Sequence, residues 1–307
     1  MKIIRKFLKA SQLLFLNPKH FYEKLILFLR IFLPKPQSPF VIKLRNILFE
    51  IDLNYDPDIL DMYYAQYQPS TVKLMKRFLK RGDVFLDVGA NIGYISAVAM
   101  SLVEKEGEVH CFEPVPEYFG KLKKLSELNQ SYKFILNECA VGEKEGEAVI
   151  AVPKASPGGS EKKSKAAGAL GWSSLLCDSS EEEKRDNDYL NVKLISLYSY
   201  INEQKIKKIA MIKIDAEGYD FMVLKGMDKY LSQTNHKPVI LCEIFPLKFP
   251  PLGYVMKDFI DFTAKHNYKI FKEDMSEIKD YEHLTKRLDL VLCHKMHNFK
   301  KENFLNE

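Results

Sequence analysis

Cysteine is scarce and carries no paired motif in this chain of 307 residues: Cys111, Cys139, Cys177, Cys242 and Cys293 include no Cys-x-x-Cys. Four of the five fall in or beside predicted strands, where a free cysteine behaves as a small hydrophobe, and a reducing cytosol is the compartment this suggests. Tryptophan is scarcer still, with Trp172 alone. The seven histidines assemble no ligand set. His110 lies within a strand, His266 reads as an exposed helix-end cation, and His294 and His297 follow the last strand as expected surface residues. Long apolar runs are missing too. Leu13 to Leu16 is broken by Asn17-Pro18 with no small-x-small cleavage site after it, so a signal peptide is not expected. Phe21 to Leu33 carries Glu23, Lys24 and Arg30 and falls short of the roughly 20 residues that span a bilayer. The formal charge of +5 is mild and spread along the chain beyond its first 35 residues, which gives no reason to expect a nucleic-acid partner.

What is present is an ordinary globular composition, 46% hydrophobic and 28% charged, long enough for one α/β domain with appendages. Residues 1–36 form a basic, amphipathic helical segment and a linker, Pro34-Lys-Pro-Gln-Ser-Pro39 marking its end. Two readings of that segment stand open. In one it lies on the inner face of the membrane, with Lys2, Arg5, Lys6, Lys9, Lys24, Arg30 and Lys35 against anionic lipid. In the other it packs on the catalytic domain or on a second subunit of a homo-oligomer. The domain proper spans 37–295, interrupted by a Gly, Ser, Lys and Glu-rich insert over 153–191 that reads as a loop or lid, and 296–307 is a polar tail.

The chemistry begins at Val84-Phe-Leu-Asp-Val-Gly-Ala-Asn-Ile-Gly93. Val84, Phe85, Leu86 and Val88 read as a core strand, Gly89 as the turn after it, and Gly93 as the close approach of a helix starting near Tyr94. A dinucleotide site wants a glycine at the middle position so that backbone can approach a pyrophosphate, and here that position is Asn91. Asp87 adds negative charge to the same crevice. A cationic, phosphate-free nucleoside suits both features, and S-adenosylmethionine is one. Glu108-Val-His-Cys-Phe-Glu113 forms a second strand whose final acid is placed to accept from ribose hydroxyls. A nicotinamide-dependent oxidoreductase stays as an alternative, disfavoured by the incomplete glycine fingerprint. A catalytically silent binding module on the same fold is another.

Asp87-Val-Gly-Ala-Asn-Ile-Gly93, Phe112-Glu-Pro114, Ala140-Val-Gly142, Lys213-Ile-Asp-Ala-Glu-Gly218 and Cys242-Glu-Ile244 together resemble the FkbM-type methyltransferase family, in order and spacing, from about Asn46 to Lys295. The resemblance implies a class I, Rossmann-like α/β fold, with a mostly parallel sheet, an antiparallel final strand and helices on both faces. It also implies S-adenosylmethionine as methyl donor and transfer to oxygen on sugars or on sugar-bearing and polyketide products. The approach segment packs over the cofactor mouth in this family, which makes Tyr64, Tyr67 and Gln68 cofactor or substrate neighbours. Class I enzymes commonly place adenine beside the end of the third strand, where Asn137, Cys139 and Ala140 stand. Two departures are visible: Gln68 occupies a position that is often an acid, and Leu197-Tyr198 replaces the usual Leu-Asp.

The sulfonium is already a strong electrophile, so transfer to an alcohol needs in-line positioning and removal of one proton. Asp215, Glu217 and Glu243 converge at adjacent strand ends with Lys213 one pleat away, and one of the acids is the expected base. Asp215 with Glu243 would alternatively orient the acceptor or share a divalent metal. Metal dependence is not favoured, because Ile244 stands where such enzymes usually carry an amide. Nitrogen transfer is less attractive, since Asp215-Ala-Glu-Gly replaces the Asn-Pro-Pro-Tyr type clamp. Trp172 and Ser173, in an apolar island of the insert, are acceptor candidates because an indole stacks on the apolar face of a sugar. The expected activity is O-methylation of a glycan or glycosylated metabolite in the cytoplasm.

Overall fold

Val84–Val88, Met211–Ile214 and Val239–Ile244 are almost wholly buried, side chains of both parities included, which is the pattern of parallel strands covered by helices on each face. The structure is a computed structural model that describes residues 38–52, 61–62, 67–153, 174–175, 187–279, 281, 284 and 286–297. The chain divides into two compact units, Met1–Phe40 and Val41–Glu307, and the architecture below belongs to the second. The expected amphipathic segment over 1–36 lies outside the described residues, as do Tyr64, Trp172 and Ser173. Among the described residues no helix is long and apolar enough to cross a membrane.

In chain order the elements are β1 (Phe40–Leu44), β2 (Ile47–Ile51), α1 (Pro69–Phe78), β3 (Val84–Val88), α2 (Tyr94–Val103), β4 (Glu108–Phe112), α3 (Pro116–Leu128), β5 (Lys133–Asn137), β6 (Ala140–Gly142), β7 (Gly146–Pro153), β8 (Ser174–Leu175), β9 (Asn187–Ser196), α4 (Leu197–Glu203), β10 (Met211–Ile214), α5 (Asp220–Lys225), α6 (Asp228–Gln233), β11 (Val239–Ile244), α7 (Met256–Lys265), β12 (Tyr268–Lys272) and β13 (Leu288–His294). The central sheet has the order β12-β13-β11-β10-β3-β4-β5. Its five strands from β11 to β5 are parallel, and β13 inserts antiparallel between β11 and β12. This is the class I arrangement expected from the sequence. The chain starts at β3, winds outward to β5, then returns to β10 on the other side of β3. A crevice must open at that switch point, above the carboxyl ends of β3 and β10.

Alternation along the strands assigns the two faces. Leu86, Val88, Ile212, Ile214, Ile240 and Cys242 join the buried cluster formed with Leu197, Tyr200, Phe221, Leu224 and Phe259 of the helices on one side. Asp87 and Cys111 point the other way, toward Ser96 of α2. The β1–β2 ribbon is tied to α3 by a Lys121–Glu50 ion pair at 3.6 Å and by the side chain that ends the helix. Asn129 accepts from Leu48 N at 2.9 Å and donates to Leu48 O and Leu125 O at 2.8 Å each. Asn129→Ala strips all three bonds and is expected to cost about 1–3 kcal/mol, read as a lower urea midpoint with an unchanged slope.

A second sheet, of order β6-β9-β7-β8, departs from the sequence reading. Gly146–Pro153 pairs antiparallel with Asn187–Ser196 along its whole length, so strand structure enters both ends of the stretch read as a loop or lid over 153–191. Gly142–Val152 reads from the sequence as a turn and strand, with Ile150 and Ala151 buried, whereas Asn187, Asp188, Asn191 and Lys193 interrupt the apolar pattern of its partner and hide that strand's first half. Two histidines differ from expectation as well. His266 is buried at the end of α7 with Nε2 2.7 Å from Asp228 Oδ1, and burial lowers its pKa despite that acid. His294, expected at the surface, is buried at the end of β13 against the Tyr268 ring.

Candidate active site

The turn after β3 is built by backbone hydrogen bonds that only a left-handed residue permits. Gly89 has φ +74° and its N–H, with that of Ala90, donates to Phe112 O at 3.0 and 3.1 Å. A Cβ on Gly89 would lie 2.0 Å from the Asp215 carbonyl oxygen, so this glycine exists to let β10 close against the turn. Asn91 takes φ +53°, a region asparagine tolerates better than most residues, and bonds its own neighbour through Ile92 N. Gly93 caps α2 at φ +88°; the sequence suggests close packing on the strand, but its tight neighbours are Leu122 and Leu125 of α3. Glu113 holds the turn from the next strand, accepting from Asn91 N at 2.8 Å and from Val115 N at 2.9 Å. Burial pushes its carboxyl up to about 7 against those two donors.

Beneath the turn lies a buried charge set. The register pairs Lys213 directly with Asp87 across β10 and β3. Lys213 Nζ sits 3.1 Å from Asp215 Oδ2 and 3.8 Å from Asp87 Oδ1. Asp87 is fully buried and accepts from the Ser96 hydroxyl at 2.6 Å. Its charge does not face the crevice, as the sequence suggests, but supports Lys213 from below. Burial drives the Asp87 carboxyl upward while Lys213 opposes it.

After β10 the chain makes a tight turn, with Glu217 at φ +53° and Gly218 at φ +93°. The buried Asp220 carboxylate holds it by accepting from Ala216 N and Gly218 N at 3.0 Å each, and Lys248 Nζ donates to Glu217 O at 2.8 Å. The turn aims the Glu217 carboxyl at Arg287, whose Nη1 lies 3.4 Å from Glu217 Oε2 and whose Nε donates to Glu243 Oε1. Burial and the nearby Asp215 raise the pKa of both Glu217 and Glu243, the latter to about 7, while Arg287 pulls each down.

Two adjoining clefts flank these groups. The first encloses about 860 Å³ of open space between Tyr67, the 88–95 turn, Phe112 to Pro114, Cys139 to Val141 and Lys213 to Glu217. The second, about 650 Å³, runs over Ser70, Thr71, Glu243, Glu273 and Asp289. Gln68, Lys213 and Asp215 line both. Asp215 Oδ1 and Gln68 Oε1 are buried at that shared wall without a hydrogen-bond partner among the described residues.

Residues 87–270 match the methyltransferase FkbM domain. The chain belongs to the FkbM methyltransferase family. No curated protein matches its sequence. Similar solved structures include the precorrin-6y C5,15-methyltransferase of Geobacter metallireducens, 13% identical over 75% of this chain and 89% of that one, with a TM-score of 0.36. Another is the fibrillarin of Aeropyrum pernix in complex with natively bound S-adenosyl-L-methionine, 11% identical over 84% and 83%, with a TM-score of 0.38. The sheet order, not these distant likenesses, carries the fold assignment. Family membership makes S-adenosylmethionine the expected cofactor and removes the nicotinamide reading.

The first cleft fits that cofactor. Phe112, Cys139, Val141 and Ile150 offer apolar walls to a purine, and Glu113 and Asp215 bring acceptors for hydroxyls and for positive charge. Of the residues singled out from the sequence, Gly89, Asn91, Glu113, Ala140, Lys213, Asp215 and Glu217 meet in this cleft, with Tyr67 and Gln68. Glu243 lines the second cleft instead. Asn137 does not reach either lining: its amide donates to Cys111 O at 2.9 Å and to the Tyr200 hydroxyl at 3.2 Å. Tyr198, the departure from the FkbM pattern, lies in the first turn of α4, which Ser196 caps by accepting from Ser199 N, and its ring sits under Lys229. Arg287, Lys248 and Asp220 escaped sequence reading. Arg287 lies outside the matched 87–270 span and no local pattern marks it, whereas an acid in the first turn of α5 is a signal that could have pointed to Asp220.

Proposed function

We propose that the chain transfers a methyl group from S-adenosylmethionine to a hydroxyl of a sugar, on a glycan or a glycosylated metabolite. The observation that supports this best is the pair of clefts sharing the Lys213–Asp215 wall, one fitting the cofactor and the other open to a polar ring. Bound S-adenosylmethionine supplies an electrophilic methyl on a sulfonium. Among the three acids, Glu217 and Glu243 are engaged by Arg287, and Asp215 keeps Oδ1 without a partner among the described residues while Lys213 holds Oδ2. Asp215 Oδ1 is therefore assigned as the atom that takes the hydroxyl proton as oxygen attacks, and Lys213 fixes the carboxylate for that task.

Calorimetry with S-adenosylhomocysteine and with NAD tests the cofactor reading, which requires binding of the first alone. Asp215→Asn is expected to lower methyl transfer to any glycan or glycoside acceptor the parent chain methylates by about 100-fold or more while S-adenosylhomocysteine affinity changes little. Unchanged turnover in that variant would remove Asp215 as the base, whereas S-adenosylhomocysteine binding without any turnover in the parent chain would favour a catalytically silent binding module.

A further inference from the structure

Arg287 comes from the segment just before β13 and lines neither cleft, yet it contacts an acid of each. Its side chain is 41% exposed, against 13% for Glu217 and 8% for Glu243. Among the described residues it is the cation that ion-pairs with these two carboxylates. The other charged groups around them are Asp215 and Lys213 on β10, Asp220 on α5, Lys248 after β11 and Asp289 on β13, which stands directly opposite Glu243 in the sheet register. Lys213 is spent on Asp87 and Asp215, and Lys248 on the Glu217 carbonyl. Without Arg287, then, Glu217 and Glu243 would have no ion-pair partner among the described residues, while facing Asp215, Asp220 and Asp289.

The backbone is shaped to make the contact. Glu217 is held in the left-handed region, where a side chain costs of order 1–3 kcal/mol unless its surroundings over-determine it. Asp220 and Lys248 secure the turn from both sides, and the result is a carboxyl directed at Arg287.

We propose that Arg287 is a positioning residue of the transfer site: it ties Glu217 on the cofactor cleft to Glu243 on the second cleft and keeps both carboxyls negative toward a bound sulfonium. This rests on the reading of the first cleft as the S-adenosylmethionine site. The physical ground is the balance of charge. Burial and mutual repulsion favour protonated acids, Arg287 opposes both, and a neutral acid pair would lose its attraction for a cationic ligand. S-adenosylmethionine carries the sulfonium charge and S-adenosylhomocysteine lacks it, so comparing the two isolates this term from contacts they share.

The experiment is calorimetric affinity for each ligand between pH 6 and 9, on the full chain and on Arg287→Gln, Arg287→Lys, Glu217→Gln and the Arg287→Gln/Glu217→Gln pair. At pH 7.5, Arg287→Gln is expected to weaken S-adenosylmethionine about tenfold, with S-adenosylhomocysteine held within about twofold. Raising the pH should restore part of the loss, because the acids then ionise without help. Arg287→Lys should stay within about threefold of the parent, since it keeps the charge but not the fork. The double variant should lose less than the sum of the two single losses, because the part of the Arg287→Gln effect that acts through Glu217 is already gone and only the part through Glu243 remains. Equal weakening of both ligands, additive losses, or no change in Arg287→Gln at any pH would overturn the proposal. If the parent chain bound neither ligand, the cofactor reading itself would fall, a result distinct from a flat response to substitution.

Discussion

Gly89→Ala is expected to abolish S-adenosylhomocysteine binding and to lower the melting temperature by roughly 6–20 °C, from a cost of about 3–5 kcal/mol at roughly 2–4 °C each. The added Cβ would lie 2.0 Å from the Asp215 carbonyl oxygen and 2.9 Å from its carbon, and both are backbone atoms that no rotamer change can move. The φ of +74° adds the left-handed penalty of a side chain, about 1–2 kcal/mol. Relief would require β3 and β10 to separate where Asp215 N donates to Val88 O, or the turn to leave Phe112 O. Either movement displaces Asp215 and Glu113 together. Gly120, in α3, is the control, because a Cβ added there would meet nothing within 4 Å. Gly120→Ala should leave binding intact and add about 0.5–1 kcal/mol of stability. Thermal melts and calorimetry on both variants check the contrast.

Lys213→Met carries the next largest expected effect. Burial alone would pull the Lys213 ammonium down, but Asp215 and Asp87 outweigh it and hold the group charged far into the alkaline range. Removing it leaves the fully buried Asp87 with Ser96 as its hydrogen-bond donor and leaves Asp215 uncompensated, a loss of about 3–5 kcal/mol. The effect should depend on pH with a definite sign. The Asp87 carboxyl is already raised by burial, and losing Lys213 raises it further. An acid whose folded pKa lies above its unfolded one binds its proton more tightly when folded, so stability falls as pH rises from the unfolded value to the folded one. Urea unfolding of Lys213→Met should accordingly show a smaller deficit at pH 5 than at pH 8. Adding Asp87→Asn should recover much of the alkaline deficit, because a neutral amide does not require the missing cation.

Much of the site was legible locally. The Gly89, Asn91 and Gly93 turn was readable because left-handed backbone and a strand-to-helix transition leave a residue pattern at fixed spacing. Glu113 and Asp215 were readable as acids that end apolar strands. The failures share a cause. Gly142–Val152 reads as a turn and strand, as β7 is, but the first half of β9 is polar and resembles a loop, and the end of a strand does not say which way the Asn137 amide turns. Position at element ends suggests surface sites for His266 and His294, yet Asp228 and Tyr268 come from elsewhere in the chain to cover them.

By itself, then, the sequence determined the class of fold, the position of the nucleotide turn and the set of acids near it, since hydrophobic period and glycine conformation act over a few residues. Only the tertiary structure decided how the charges are shared. The strand order β13-β11-β10-β3 sets Asp87 beside Lys213 and Glu243 opposite Asp289, and the approach to β13 brings Arg287 to two acids 44 and 70 positions away. Those pairings follow from sheet register between distant segments, and no local spacing encodes them.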